Sequence, residues 1–496
     1  MAKKNLESNA MRSSLFLLML FVLSCWAWAA EYHVSLSGND LNPGTLSDPW
    51  RTIQHAADSC LPGDNVYIHN GVYPEEIIFK ISGAAEAPIT FSAATGDTVT
   101  IEGMEFAVGT AYVNIDNLII EGQSIWKVWI RGDNHHITLR GLTINGGETG
   151  VRITWGDSGQ PPIDGPVSDI TIEDCLIQNP VFTAVDCTPG PGRRMRFRNL
   201  EISGAATEGE PSFASDGIAV ERGENILVEN CYIHDMRGDG IDLNSRDTEG
   251  HVSGIIVRRN KIVRTHRSGI KLWSGGHIEN NVEWGTGISP IVIGIHPGSY
   301  EVINNTIAFN MWDSSYGSRD YSFVAAYPSD GTSAKMDLVL SNNIFAFNTG
   351  PEVGSATGIY LGEGVNLIRE GNNMYWSRDD GEIEAAFLEG DSDISRSDIE
   401  DGTWTEASGQ GIGNMTSDPT FMEGWPSVDL HLQEQSPAID AGISENAPLT
   451  DCECMKRPAG YGTDIGAYEF GSVLDPECAG NDQEEMKKKK KGKIRR

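Results

Sequence analysis

Apolar and polar residues alternate in short runs that recur down most of the chain. Ile226-Leu227-Val228-Glu229-Asn230-Cys231-Tyr232-Ile233 is matched by Ile255-Ile256-Val257-Arg258-Arg259-Asn260-Lys261-Ile262. Each run is too short for a helix, rich in β-branched residues, and repeats with the period of a strand. A phrase x-Asn-Asn-x-Ile marks many of them. Aligning the flanking apolar residues places Gly141, Cys175, Asn199, Cys231, Asn260, Asn281, Asn305, Asn343 and Asn373 in one column, at steps of 21 to 38 residues. Uneven steps suit a solenoid whose coils carry loops of different length. Coils stacked about 4.8 Å apart let buried Asn amides bond one another up a ladder. The expected fold is an all-β, right-handed parallel β-helix.

A second set of strands starts with small-apolar-x-apolar: Gly150-Val151-Arg152-Ile153, Ala184-Val185-Asp186-Cys187, Gly217-Ile218-Ala219-Val220, Gly240-Ile241-Asp242-Leu243 and Gly269-Ile270-Lys271-Leu272. Alternation buries the second and fourth residue and turns the third outward. The outward column then reads Arg152, Asp186, Ala219, Asp242, Lys271. One residue before the small position runs a companion column: Thr149, Thr183, Asp216, Asp239, Ser268. Asp216 is thus expected beside Asp239, with Asp242 on the same coil and Lys271 one coil on. Carboxylates this close repel one another unless a cation lies among them. Oxygen ligands on a rigid surface suit Ca²⁺, and a Lys at their edge is placed to take a proton. Asp186 is a further ligand candidate. A plain surface ion pair between Asp242 and Lys271, or a Gly-Asp-Gly turn, would explain some of these residues singly. Their coincidence favours a site.

The chain's ends read differently. Lys3, Lys4 and Arg12 precede an apolar run ending in Ala27-Trp28-Ala29, the pattern of an export signal over residues 1–29, and the protein is expected outside the cell. A lipid anchor at Cys25 is the alternative. Residues 30–84 form a cap: Ser47-Asp48-Pro49 opens an amphipathic helix from Trp50 to Cys60, suited to cover the end of a solenoid. Coils are expected over 85–377, an acidic excursion or linker over 378–412, a segment closing the last coils over 413–470, and a disordered basic tail over 471–496. No later stretch is apolar enough to span a membrane.

A formal charge of −33 argues against a nucleic-acid partner. Seven cysteines follow Cys25, so at least one is unpaired. Cys175 and Cys231 read as buried thiols in the ladder, whereas Cys452, Cys454 and Cys478 can supply one bridge or a metal site.

The opening stretch Tyr32–Thr45, Trp50-Arg51-Thr52-Ile53-Gln54-His55-Ala56, Pro62-Gly63-Asp64 and Gly71-Val72-Tyr73 resembles the first segment of secreted right-handed β-helix proteins. Many of those are polysaccharide lyases or glycoside hydrolases. The closing stretch, from Ser436-Pro437-Ala438-Ile439-Asp440 to Asp464-Ile465-Gly466-Ala467-Tyr468-Glu469, is similar to their last one. Ser215-Asp216-Gly217, Gly238-Asp239-Gly240-Ile241-Asp242 and Gly269-Ile270-Lys271-Leu272 resemble the active site of family 9 pectate lyases. There, Asp side chains hold calcium and a Lys is the base. Gly238 departs from that pattern, standing where the family has the first Asp of a tandem pair, and Asp186 or solvent is expected to compensate.

The resemblance implies β-elimination on a uronate polymer, with Asp216, Asp239 and Asp242 holding calcium and Lys271 as the base. Arg152 would clamp a neighbouring uronate, and Trp155 and Trp273 would offer flat faces to sugar rings. A monomer acting on an acidic polysaccharide is expected. Two other readings stay open: a polygalacturonase-type hydrolase using paired Asp residues, and a non-catalytic glycan-binding or adhesive solenoid. The acidic surface favours the last, since it repels a polyanion unless calcium bridges the two.

Overall fold

A computed structural model describes residues 29–154, 165–188, 190, 192–204, 215–244, 254–309, 322–328, 336–347, 357–378, 383–388, 393–424 and 427–479. Residues 1–28 of the expected export signal (1–29), Trp155, and residues 480–496 of the expected tail (471–496) lie outside these residues, whereas 471–479 are ordered, with a short helix Pro476–Ala479 and Cys478 in a disulfide. No described helix is long and apolar enough to cross a membrane.

The chain winds into a parallel β-helix with three faces. One face is a 13-stranded sheet running from Glu31–Val34 to Val365–Gly371. The other two belong to a 23-stranded network, joined where the long strand Val99–Phe106 pairs with both Ile119–Ile120 and Trp126–Ile130. Beyond that point each coil adds a short strand to the second face and another to the third.

Period-2 alternation puts one side chain per strand into the same interior column on every coil. Ile120, Ile144, Ile177, Ile202, Ile233 and Ile262 are register partners in turn, and all are fully buried. Burying each contributes about 1.5–3 kcal/mol. On the first face a surface column alternates in charge over seven coils: Asp116, Arg140, Glu173, Arg198, Glu229, Arg258, Glu279. A one-coil slip would set like charges against each other, so this column disfavours misregister.

The amide ladder exists, but its lower half differs from the expected column. Asn260, Asn281, Asn305, Asn343 and Asn373 each pass a side-chain bond to the next at 3.0 Å, and Asn373 ends on buried Glu370 at 2.7 Å. Cys231 and Cys175 occupy the same column as buried thiols. Gly141 and Asn199 do not. The register of Arg140, Glu173, Arg198 and Glu229 puts Leu142 and Leu200 there instead. Gly141 and Asn199 sit one residue earlier, with φ of +65° and +53°. That position is left-handed on successive coils, which favours Gly and Asn, so two adjacent columns share a residue preference.

This second column explains the Asn-Asn doublets. The first Asn of each turns outward to the C-terminal segment: Asn280 donates to the Thr450 carbonyl at 2.7 Å, Asn304 to Asp464 at 2.9 Å, Asn342 to Ile443 at 2.8 Å and Asn372 to Ala441 at 3.0 Å. Residues 413–470 therefore do more than close the last coil. Asn414 caps the ladder and Met415 bridges to Met374, but the chain then returns along the flank. It covers Val282, Ala308, Ile344, Ala346 and Met374 with Phe421, Leu430, Leu432, Ile465 and Ala467 in a second apolar cluster. A buried ion pair, Arg457–Glu469 at 3.1 Å, and a Cys454–Cys478 disulfide hold the returning segment. Cys452 stays a free thiol.

The stretch over 378–412 is more than an excursion. Its helices Arg396–Glu400 and Thr403–Ser408 lay Trp404 on the end of the core, edge-on to Tyr375. At the other end the capping helix spans Ile53–Ser59, shorter than expected. Thr52 is its N-cap, and Asp40 fixes the turn before it by accepting from the Arg51 and Thr52 amides.

One member of the isoleucine column is out of character. Glu283 takes the place between Ile262 and Ile307. It is fully buried, and neither carboxyl oxygen has a hydrogen-bond partner among the described residues. Burial raises its pKa well above the ordinary glutamate value, which favours the neutral acid in the folded protein. A raised folded pKa means stability that is full below the unfolded pKa and is lost as pH rises through the folded one. Glu283→Gln is therefore expected to be more stable than the parent at pH 8. The gap in thermal midpoint should close as pH falls toward 4.5, tracking up to about 1.4 kcal/mol per pH unit between the two pKa values. A gap independent of pH would contradict this. In the ladder, Asn305→Ala removes the acceptor of both the Asn281 amide and its side chain. Denaturant unfolding should show a loss of about 2 kcal/mol or more, and an unchanged midpoint would contradict the ladder's role.

Candidate functional site

The third face carries the charged columns. Register partners run Arg152 to Asp186, Asp186 to Ala219, Ala219 to Asp242 and Asp242 to Lys271. Backbone bonds from Ala184 to the Asp216 carbonyl, Gly217 to Asp239 and Gly240 to Ser268, each 2.9 Å, stack Asp216 beside Asp239 in the neighbouring column. One oxygen from each of Asp216, Asp239 and Asp242 lies within 4.8 Å of the others, and all three residues are buried.

Backbone amides hold two of these carboxylates in place. Asp216 Oδ1 accepts from the Asp239 amide at 2.8 Å, and Asp239 Oδ1 from the Ser268 amide at 2.8 Å. Each acid is thus aimed by the coil that follows it. The other Asp239 oxygen pairs with the Lys271 ammonium, and Arg267 lies 3.7 Å from it. Arg267 was not singled out in the sequence; its place in the turn just before Ser268 and Gly269 is the signal that would have found it. Burial, then the charges of Asp239 and Asp242, push the Asp216 carboxyl up to about 7. A group so strained by its neighbours is eased by a cation, and three carboxylates with no nitrogen or sulfur donor form a set that fits Ca²⁺.

Asp186 does not join this group. Ala219 stands between it and Asp242, and its carboxylate pairs with Arg152 and accepts from Thr188 Oγ1 at 2.5 Å. Asp186 therefore does not compensate for Gly238, because the nearer cation claims it. Arg152 is likewise engaged with Asp186. Trp273 is half-buried just beyond the Lys271 strand.

Gly238 has a steric reason. A side chain at this position would run into the Asp216 carboxylate and the Ser215 carbonyl, the latter at 2.9 Å. Gly269 is similar: Glu283 fills the space its side chain would need.

The Pel9A-like right-handed β-helix family model matches residues 32–175, and a general right-handed β-helix region model matches 126–307. An uncharacterized protein of Bacillus subtilis (strain 168), YwoF, is 23% identical over 348 residues, covering 56% of this chain and 74% of its own. Pectate lyase PEL9 of Emericella nidulans is 37% identical over 79 residues, which span 16% of this chain and 19% of that enzyme. Among solved structures, pectate lyase Pel9A aligns over 89% of this chain and 96% of its own, at 15% identity and a TM-score of 0.49. The chain is a right-handed β-helix protein that resembles family 9 pectate lyases.

Restoring the family's aspartate should not strengthen the site. Gly238→Asp is expected to displace the Asp216 carboxylate and weaken calcium binding by about tenfold or more, roughly the loss of one charge-assisted contact. Calorimetric titration with calcium checks this, and tighter binding by the variant would overturn the steric account.

Proposed function

We propose that the protein is a calcium-dependent polysaccharide lyase that cleaves a uronate polymer outside the cell. The observation that carries this reading is the convergence of Asp216, Asp239 and Asp242 within 4.8 Å, with Lys271 paired to the central one. A calcium ion bound there would neutralise a substrate carboxylate and make the hydrogen on the adjacent carbon more acidic. Asp216, Asp239 and Asp242 would hold that ion, with Asp216 and Asp239 aimed by amides of the following coil. Lys271, as the neutral amine, would take the proton from the carbon next to the carboxylate. The electron pair left behind forms the carbon–carbon double bond as the glycosidic oxygen departs. Lys271 is paired to a carboxylate that would also hold the cation, so filling the site and freeing the amine would be coupled. The name of the Emericella relative supports pectate as the first polymer to test.

Spacing weighs against an inverting hydrolase. An inverting pair needs carboxyl groups about 6.5–9.5 Å apart to admit a water, and these oxygens approach within 4.8 Å. The raised Asp216 carboxyl is the one feature that favours it, since a protonated acid near neutral pH suits a leaving-group donor.

The test follows the ultraviolet absorbance of unsaturated uronate ends on polygalacturonate, with and without calcium. Absorbance that needs calcium is expected, and Lys271→Ala should lower the rate by about 10²–10⁴-fold, as for loss of a general base. New reducing ends without absorbance would replace the lyase with a hydrolase. Binding of the polymer with neither signal would favour a glycan-binding solenoid.

A further inference from the structure

The two columns that carry the acids and the lysine continue toward the N-terminal end, where they become aromatic. Trp126 is the register partner of Thr149, the first member of the Asp216/Asp239 column. Trp129 is the partner of Arg152, the first member of the Asp242/Lys271 column. Both indoles are half-exposed, on a face whose next residues are polar or charged. They lie four coils from Asp242 by register, about 19 Å along the axis.

The pair is held rigidly. The rings stand 4.5 Å apart at 61°, and the Trp129 indole N–H donates to Thr154 Oγ1 at 3.0 Å. The Arg131 guanidinium lies 4.7 Å from the Trp129 ring and is itself bonded to Glu105 at 3.2 Å. Beside them, exposed Ile125 and Phe182 form an apolar lip linked through Glu148 by backbone bonds of 2.8 Å. A fixed pair of indoles, with a guanidinium stacked over one of them, is a chemistry that takes a sugar ring. The sugar ring's C–H face packs on exposed indole surface. Rigid placement lowers the ordering cost of binding.

We infer that Trp126 and Trp129 form a distal subsite for a uronate unit of a polymer lying along the helix axis, its reacting bond at the carboxylate cluster. This rests on the reading proposed above. A sugar unit is about as long as a coil is high, so the subsite meets a unit some four residues from the reacting bond. Long oligomers reach it and short ones do not.

The test compares the parent with the Trp126→Ala/Trp129→Ala double variant on oligogalacturonates of three to eight units. The kcat/KM should fall on the order of tenfold or more for the longest chains, the effect of losing an aromatic anchor, and stay unchanged for the shortest. Equal loss at every length, or no loss at any, would overturn the subsite. The Trp126→Tyr/Trp129→Tyr variant should restore the preference for length; if it does not while folding normally, stacking is excluded. Fluorescence titration of Lys271→Ala with the same oligomers, with and without the Trp changes, reads binding without cleavage. Length-dependent affinity that needs the two Trp residues would support the subsite even where the parent cuts nothing. Cleavage by the parent with no role for the pair would sink the subsite alone.

Discussion

Parallel stacking in register, one coil about 4.8 Å above the next, is the constraint on which the rest of this structure depends. It turns a residue's place within a coil into a place in a column, and each column then acts as a unit. Isoleucines fill one interior column, amides another, and alternating acids and bases run up the first face. The same stacking forces Asp216, Asp239 and Asp242 together at a spacing that like charges would not choose. The backbone pays for that crowding through amides of the following coil, which donate to Asp216 and Asp239.

The site and the core behind it are linked by this geometry. Gly238 leaves room for the Asp216 carboxylate, and Gly269 leaves room for Glu283 on the inner side of the same wall. Both glycines lie in the turns that lead into the functional strands. A carboxyl group is therefore present on each side of the turn before Lys271: one set gathered outward, one buried alone among isoleucines. The outward set can be eased by a cation, whereas the inner acid is accommodated by staying protonated.

Much of this was legible in the sequence, for a physical reason. A period of two and a small residue at each strand start identify which side chains share a face, so the stacking of Arg152, Asp186, Ala219, Asp242 and Lys271 follows from the sequence alone. The columns said which residues stack, but not which partner each would choose. Asp186 was expected among the ligands and turned to Arg152, one coil away. Gly141 and Asn199 lie one residue from the expected column because the left-handed turn and the ladder both accept small polar residues. Nor does local pattern reveal a segment that folds back from far along the chain. The strands Thr306–Ala308 and Ile344–Phe347, buried on both faces, held the clue that something covers them. Trp404 in an acidic stretch was the corresponding clue at the far end.

The central claim is that register stacking builds a cation site from Asp216, Asp239 and Asp242. Anomalous diffraction from crystals grown in calcium, collected at long wavelength, tests it most directly. The account predicts a single strong peak among the three carboxylates, with the Lys271 ammonium drawn away from Asp239. An undisturbed Lys271–Asp239 pair with no peak at saturating calcium would contradict it.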